Sequence, residues 1–271
     1  MQKIIVDSNR KSLGINYKEL KQYKDLFIIL AYRDLRVRYA QTFLGFLWAF
    51  LQPAATLLIF ILVFGIAIKV DTGEIPYPLF AISGISLWSY FSFVLNQSGS
   101  SIIGSGELIK KIYFPRLIIP LSKAVVGFVD YGVALLILVI LMISYGVTPS
   151  PYILLAPLFV LLNILAALGV GIWLSALSIR YRDFQHIIPF LVQFGLYATP
   201  VAYPARLVPE KYLWLYNLNP MAGIIQGFRW SLFGGEAPNL YFWISISIVI
   251  VLFVTSLFYF KKVEEIMADI V

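Results

Sequence analysis

The chain has 271 residues, of which 60% are hydrophobic and only 13% charged, with a formal net charge of +7, one His and no Cys. Its mean hydropathy is +0.85, whereas soluble globular chains run at about 45–50% apolar and ~25% charged residues. These figures exclude a water-soluble enzyme, a disordered tail and a disulfide scaffold, and the absence of Cys removes thiolate nucleophiles, zinc sites and iron–sulfur ligation.

Residues 1–42 are polar and basic, without a short apolar core, so no cleavable signal peptide is expected. Within them, residues 17–31 place Leu20, Phe27, Leu30 and Ala31 near one face, with Lys18, Lys21, Lys24 and Asp25 elsewhere. That pattern predicts an amphipathic helix lying on the inner leaflet or docked on a partner. A first span is expected near 43–68, since about 20 apolar residues are needed to cross ~30 Å of hydrocarbon. Tyr39, Phe43, Phe46 and Phe50 are spaced 4, 3 and 4, which puts them on one face if the helix is continuous. Such a stripe serves either as lipid-facing and packing surface or as a stacking surface for the C–H faces of sugar rings, and both readings stay open at this point.

A second span is expected near 78–98. The segment 101–116 follows, mixing Ile102, Ile103, Leu108, Ile109, Ile112 and Tyr113 with Glu107, Lys110 and Lys111 before Phe114-Pro115-Arg116. It predicts a short amphipathic helix, resting in the headgroups or serving as a lever for a soluble partner. The third span, near 117–145, carries Lys123 and Asp130. Charge inside a bilayer costs roughly 2.5–3.5 kcal/mol at a helix centre. Seven residues put this pair about 10 Å apart along the helix, too far for a direct ion pair, so other helices are expected to satisfy both.

Thr148-Pro149-Ser150-Pro151 is a break before a fourth span near 152–178, whose Leu168-Gly169-Val170-Gly171 is a small-residue patch suited to helix packing. A fifth span is expected near 186–203 and a sixth near 239–260. Between them, Pro204, Pro209 and Pro220 cut 204–236 into two short helices, about 209–217 and 220–233, the second closed by Gly234-Gly235. Neither is long enough to cross, which predicts a re-entrant or interfacial hairpin carrying Asn219, Pro220 and Arg229.

Seventeen of the 21 basic residues fall on one side if both termini share it; Lys69, Arg206, Lys211 and Arg229 fall on the other. The positive-inside rule then makes both termini cytoplasmic and the hairpin outward-facing. Most of the net charge is thereby a topology signal, and nucleic-acid binding is rejected. The fold class is an all-α polytopic membrane protein: one transmembrane domain over 1–271, six transmembrane helices, an N-terminal amphipathic interfacial helix, a short cytoplasmic helix and an outer hairpin. No phosphate-cradling glycine loop, His-Glu-x-x-His or Gly-x-Ser-x-Gly is present. The lone His186, beside Arg182 and Asp183, reads as a satisfied interfacial histidine. No enzyme, no metal and no cofactor on this chain are expected.

Five motifs, in order, carry a likeness: Tyr32-Arg33-Asp34-Leu35-Arg36-Val37-Arg38-Tyr39 with Leu44-Gly45, Trp48 and Pro53; Ile109-Lys110-Lys111-Ile112-Tyr113-Phe114-Pro115-Arg116; Tyr181-Arg182-Asp183; Thr199-Pro200-Val201; and Asn219-Pro220-Met221 leading to Phe228-Arg229. Over nearly its full length the chain resembles the permease subunit of polysaccharide-exporting ABC transporters, the group that handles O-antigen, teichoic acid and capsule chains. The resemblance implies a homodimer in the bacterial cytoplasmic (inner) membrane with two copies of a separate ABC ATPase, which would hold the ATP and Mg. It implies a coupling element at Glu107, Lys110, Lys111, Tyr113, Phe114 and Arg116, and a channel lined from the first and fifth spans. Tyr39, Phe43, Phe46, Phe50, Asn163, Gln193 and Tyr197 are then expected to line the path of a lipid-linked polysaccharide. Arg33, Arg36 and Arg38 at the inner mouth would meet the diphosphate of the lipid carrier, since guanidinium pairs with phosphate bidentately; a topology signal explains them equally. A permease for a lipid or drug is the neighbouring alternative. A proton-coupled secondary transporter would need more buried ionisable groups than Asp130.

Overall fold

The computed structural model describes residues 17–40, 42–235, 237–238 and 240–264. Residues 1–16, the start of the expected N-terminal segment, and Glu236 of the expected hairpin lie outside them. All regular structure among the described residues is helical. Two helices open the chain, α1 (Tyr17–Gln22) and α2 (Lys24–Tyr39). Leu30 and Ala31 of the expected apolar face are buried, and α2 packs along α6 (Ile118–Ser144).

The helix expected to be continuous through residues 39–50 is not. α2 ends at Tyr39, and a turn with Gly45 at φ +50° intervenes before α3 (Leu47–Phe60). A positive φ has no place inside a right-handed helix, so the four aromatics belong to two helices and the turn between them. Pro53 lies inside α3, and from Ile61 the ladder widens into a π-helix, Ile61–Ala67. Gly65 in that segment admits the Tyr77 ring, since a Cβ there would lie 3.0 Å from its Cδ1.

Helix α4 (Tyr77–Ser101) starts where Pro76 and Pro78 pre-set its first turn and is the most deeply buried of the long helices. It packs mainly against α6 and α7 (Ala156–Arg180). Its buried serines lose little by burial because their hydroxyls donate to carbonyls: Ser83 to Phe80, Ser86 to Ser83, Ser101 to Ser98, and Ser98 across to Pro120 of α6. The small-residue patch of α7 works on two sides at once. A Cβ on Gly169 would lie 3.0 Å from the Phe253 backbone N of α11 (Phe242–Glu264), and one on Gly171 would lie 2.8 Å from Ser98 Cβ of α4. Trp173 stacks on Tyr259 at 4.2 Å, closing the α7–α11 contact.

Among the described residues, five stretches are long and apolar enough to cross a bilayer: Leu47–Ala67, Tyr77–Ser101, Ile118–Ser144, Pro151–Arg180 and Phe242–Glu264. The expected fifth span differs. Helix α8 (Phe184–Ala198) has only 15 residues, about 22 Å at ~1.5 Å per residue. Pro200 explains its end, because the residue before a proline is pushed out of the helical region, and Thr199 indeed sits at φ −113°, ψ 144°. The chain continues through a buried turn at 199–202 and still reaches the far end of the bundle, where Arg206 pairs with Asp71 at 2.8 Å. The short helix expected at 209–217 is also smaller: 3-10 turns at Ala205–Leu207 and Glu210–Tyr212 precede α9 (Leu213–Tyr216). Helix α10 (Pro220–Phe233) then runs to Gly234 and Gly235, both at positive φ.

Candidate functional site

The bundle has two ends of different chemistry. At one end lie α1, α5 (Gly106–Lys111), the segment 112–117 and the close of α11. The Arg116 backbone N–H donates to Glu264 Oε1 at 2.8 Å, and Arg116 Nη1 donates to the Glu264 carbonyl at 2.7 Å. Lys261 holds the same carboxylate at 3.0 Å, and Tyr113 Oη donates to Glu19 Oε1 at 3.2 Å. Partial burial pushes the Tyr113 phenol pKa up, with the Glu19 carboxylate adding to the shift.

Of the six residues expected to couple to a partner, Glu107, Lys110, Lys111 and Tyr113 are exposed. Phe114 is 3% exposed, and Arg116 is committed to Glu264. These two therefore anchor the lever to the body and do not present themselves to a partner. The helical part of the lever is one and a half turns, preceded by a 3-10 turn at Ile103–Ser105.

Just above, α2 and α6 are fastened by crossed charges. Asp34 pairs with Lys123, and Arg38 pairs with Asp130, to which Tyr39 Oη also donates. The guanidinium of Arg38 lies 4.3 Å from the Phe93 ring centroid of α4. The spacing of four on α2 against seven on α6 is bridged by the length of the Lys and Arg stems. This meets the expectation that other helices satisfy Lys123 and Asp130, and it corrects two others. Arg38 is not a free inner-mouth cation and Tyr39 is not a free aromatic surface, because Asp130 takes both. Arg33 bonds its neighbour Asp34 at 2.9 Å, and both Arg33 and Arg36 stay exposed.

The second expected set, the path lining, divides similarly. Phe43, Phe46 and Phe50 are exposed, Phe43 completely. Gln193 and Tyr197 are exposed on α8. Asn163 is 1% exposed, and its Nδ2 donates to the Leu87 carbonyl at 3.1 Å, so it ties α7 to α4 and lines nothing. Two further exposed aromatics on α8, Phe190 and Phe194, stack at 6.1 Å and share a face with Tyr197. Their spacing of four and three was a readable signal that the sequence analysis left unused.

A polar face of α4 also escaped it. Ser89, Gln97 and Ser100 are exposed, and Ser92 and Asn96 are half-buried. At ~100° per residue, Ser89, Ser92, Asn96 and Ser100 fall within an arc of about 80°. That arc lies between the side of α4 facing α8, marked by Trp88 against Gly195 and Gly99 against Ile188, and the side facing α2 and α6, marked by Phe93 under Arg38 and Tyr90 bonded to the Ala124 carbonyl. Local carbonyls hold the Ser92, Asn96 and Ser100 donors. Uncharged hydroxyls and amides thus floor a cleft between α8 and the α2–α6 pair, while Phe190, Phe194 and Tyr197 lie on the far face of α8, about 140° round from the Ile188 and Gly195 contacts with α4.

At the opposite end, Asn219 caps α10 by accepting from the Met221 N–H at 3.0 Å and donates Nδ2 to Thr199 Oγ1 at 2.8 Å. Arg229 is expected at an outer mouth, yet it is only 7% exposed. It donates to Ser83 Oγ and to the carbonyls of Pro200, Phe80 and Val201, and it sits 3.4 Å over the Phe80 ring. It is the internal rivet joining α10, α4 and the turn after α8.

The loops at this end are tied by Asp71 and Arg206. The Gly73 N–H, donated at 2.8 Å, and then the Arg206 guanidinium hold the Asp71 carboxyl below the usual carboxylate range. A carboxylate whose folded-state pKa is depressed stabilises above its unfolded value of ~3.9 and loses that contribution as pH falls through the folded value. The difference in unfolding temperature between the wild type and Asp71→Asn is therefore expected to stay constant from pH 8 to 5 and to narrow below about pH 4. A difference that changes between pH 8 and 6 would place the tie elsewhere.

An all-helical bundle of bilayer-length apolar helices, with a basic, lever-bearing end and no group of three metal-ligating side chains among the described residues, defines a multi-pass membrane protein. The chain belongs to the ABC-2 type transporter family, which matches residues 25–233. It is 30% identical to an O-antigen export system permease protein RfbA of Klebsiella pneumoniae, over 91% of this chain and 95% of that protein. The RfbA permease of Myxococcus xanthus is 29% identical over 91% of this chain and 96% of its own length. Polysialic acid transport protein KpsM of Escherichia coli is 26% identical over 75% of this chain and 79% of its own.

Proposed function

We propose that this chain is the channel-forming permease half of an ATP-driven exporter that moves a lipid-linked polysaccharide across the bacterial cytoplasmic membrane. Two copies would form the pathway, with two copies of an ABC ATPase on the cytoplasmic side. In this reading the segment 184–206 completes a six-span topology, and the lever end is cytoplasmic with both termini. The basic residues support that side: Lys110, Lys111, Arg116, Lys261 and Lys262 all belong to it. The chain itself would hydrolyse nothing.

The observation that carries the reading is the cleft over α4. A bilayer-exposed polar face is costly, and polar side chains in spans face an interior or a water-filled path. Hydroxyls and amides on its floor match a polyhydroxylated ligand, and the exposed Phe190, Phe194 and Tyr197 on the far face of α8 offer a separate stacking surface for C–H faces. Such contacts are many and individually weak, which suits a chain that must slide. Phe43, Phe46, Phe50 and Gln193 join this surface, and the exposed Arg36, with Arg33 exposed beside its partner Asp34, would meet a diphosphate at its inner end. The lever residues Lys110, Lys111 and Tyr113 would take the ATPase.

The test replaces Phe190 and Phe194 by Ala, and separately Phe43 and Phe46 by Ala, in cells that depend on this exporter. Surface polysaccharide is expected to fall about tenfold, the effect of ~1.4 kcal/mol lost along the path, while the ATPase still co-purifies. Undiminished polymer with both pairs replaced refutes the path. Transport that persists when ATP is depleted refutes the ATP-driven class.

A further inference from the structure

On the side of the bundle away from the cleft, α6, α7 and α10 leave between them a groove of about 730 Å³, within the ~300–1,000 Å³ range of specific small-molecule sites. Leu135, Met142, Val147, Ile153, Val160 and Phe228 are typical of its lining, and no charged residue contributes. Its floor is open at Gly132, where an added Cβ would meet nothing within 4 Å. Tyr131, beside it, is the lining's one polar side chain; it is 4% exposed, and its hydroxyl has no hydrogen-bond partner among the described residues.

Most of the lining belongs to two segments of bilayer length, Ile118–Ser144 and Pro151–Arg180, so hydrocarbon and not water lies against it. From Gly132 to Ile143 it runs about 16 Å along α6 at ~1.5 Å per residue, close to the ~15 Å hydrocarbon depth of one leaflet. It opens toward the hairpin end, where Tyr152 stacks on Trp230 at 4.5 Å, the kind of amphipathic aromatic pair that marks a headgroup level. Packed protein interiors hold few voids larger than a water molecule, and Phe228 and Leu232 of α10 form the back wall of this one.

We propose that this groove is a binding site for one acyl chain of a bilayer phospholipid, seated against α6, α7 and α10. The ligand class follows from the lining: an unbranched hydrocarbon chain, about one leaflet long, whose headgroup stays at the Tyr152–Trp230 level. The site does not depend on what the transporter carries.

The experiment reconstitutes the full-length protein with a phosphatidylethanolamine whose acyl chain bears a diazirine, and maps the photo-crosslinked peptides. Crosslinks are expected to be roughly tenfold denser in 132–142 and 153–164 than in 250–254 of α11, where Ile250, Val251 and Val254 are equally lipid-accessible. Gly132→Phe with Ala156→Phe should fill the groove and abolish that enrichment. Val139→Trp, at the groove's exposed edge, provides a second block should the pair fail to fold. Native mass spectrometry should find the co-purified phospholipid lost in whichever variant folds. Equal crosslink density on the two faces, or enrichment that survives the filled groove, would each overturn the proposal.

Discussion

Replacing Arg229 with Met is expected to lower stability by about 3–5 kcal/mol, because several buried acceptors lose their donor together. The loss has a definite source. Three backbone carbonyls and the Ser83 hydroxyl converge on one guanidinium, and each acceptor stranded in a dry site costs about 1–3 kcal/mol. Arg229→Lys should recover only part, because an ammonium lacks the planar fork that reaches Pro200 on one arm and Phe80 and Val201 on the other. Gly84→Ala tests the same rivet from the opposite side, since its Cβ would come within 2.6 Å of Arg229 Nη2 and 3.1 Å of Val201 Cα. Thermal unfolding in detergent and the amount of protein accumulating in the membrane are the measurements. An Arg229→Met protein within about 1 kcal/mol of wild type would show that the hairpin is held by other contacts.

The second large effect is expected at Asp130. Asp130→Ala removes the shared acceptor of Arg38 and Tyr39, leaving a partly buried guanidinium without its carboxylate between α2, α4 and α6. The residues are partly solvated, with side-chain exposures of 28% for Arg38 and 21% for Asp130, so the coupling belongs between the surface and buried limits, at about 1–3 kcal/mol. A double-mutant cycle on Arg38 and Asp130 should return that value, and a second on Asp34 and Lys123 a similar one. Exchanging the charges, as Asp34→Lys with Lys123→Asp, should restore most of what either change alone removes. Strict additivity of the single substitutions would mean that the pairs do not fasten α2.

The two results show why parts of this molecule were legible and parts were not. The long apolar runs announce themselves because a bilayer accepts little else, and the Asn219-Pro220 start and Gly234-Gly235 stop of α10 follow from local backbone preferences. Lys123 and Asp130 could be recognised as needing partners, but their partners, Asp34 and Arg38, lie 89 and 92 residues away, and nothing local names them. Periodicity misled at Tyr39–Phe50, since a spacing of four and three presumes a continuous helix and Gly45 breaks it. It misled again at Asn163, where a polar residue in a span was assigned to a path although a carbonyl of the next helix claims it. The polar face of α4 was hidden in a run that reads as ordinary span, because serines bonded to their own helix's carbonyls blend into an apolar segment. Their exposure is a property of the cleft between helices, which no single segment encodes.

The ties at the lever end have a mechanical consequence. Arg116 is bonded to Glu264 twice and Tyr113 to Glu19, so a displacement applied at Lys110 and Lys111 is shared at once by α1 and α11 and cannot be absorbed where it is applied. Compliance has to reside in joints without such ties. Two such joints, the Gly45 turn and the π-helical stretch Ile61–Ala67, bracket α3 at its two ends. α3 is thereby the hinged strut of an otherwise braced frame, and Phe43, Phe46 and Phe50, which sit at or just beyond its first joint, are the side chains that strain at the lever would turn first.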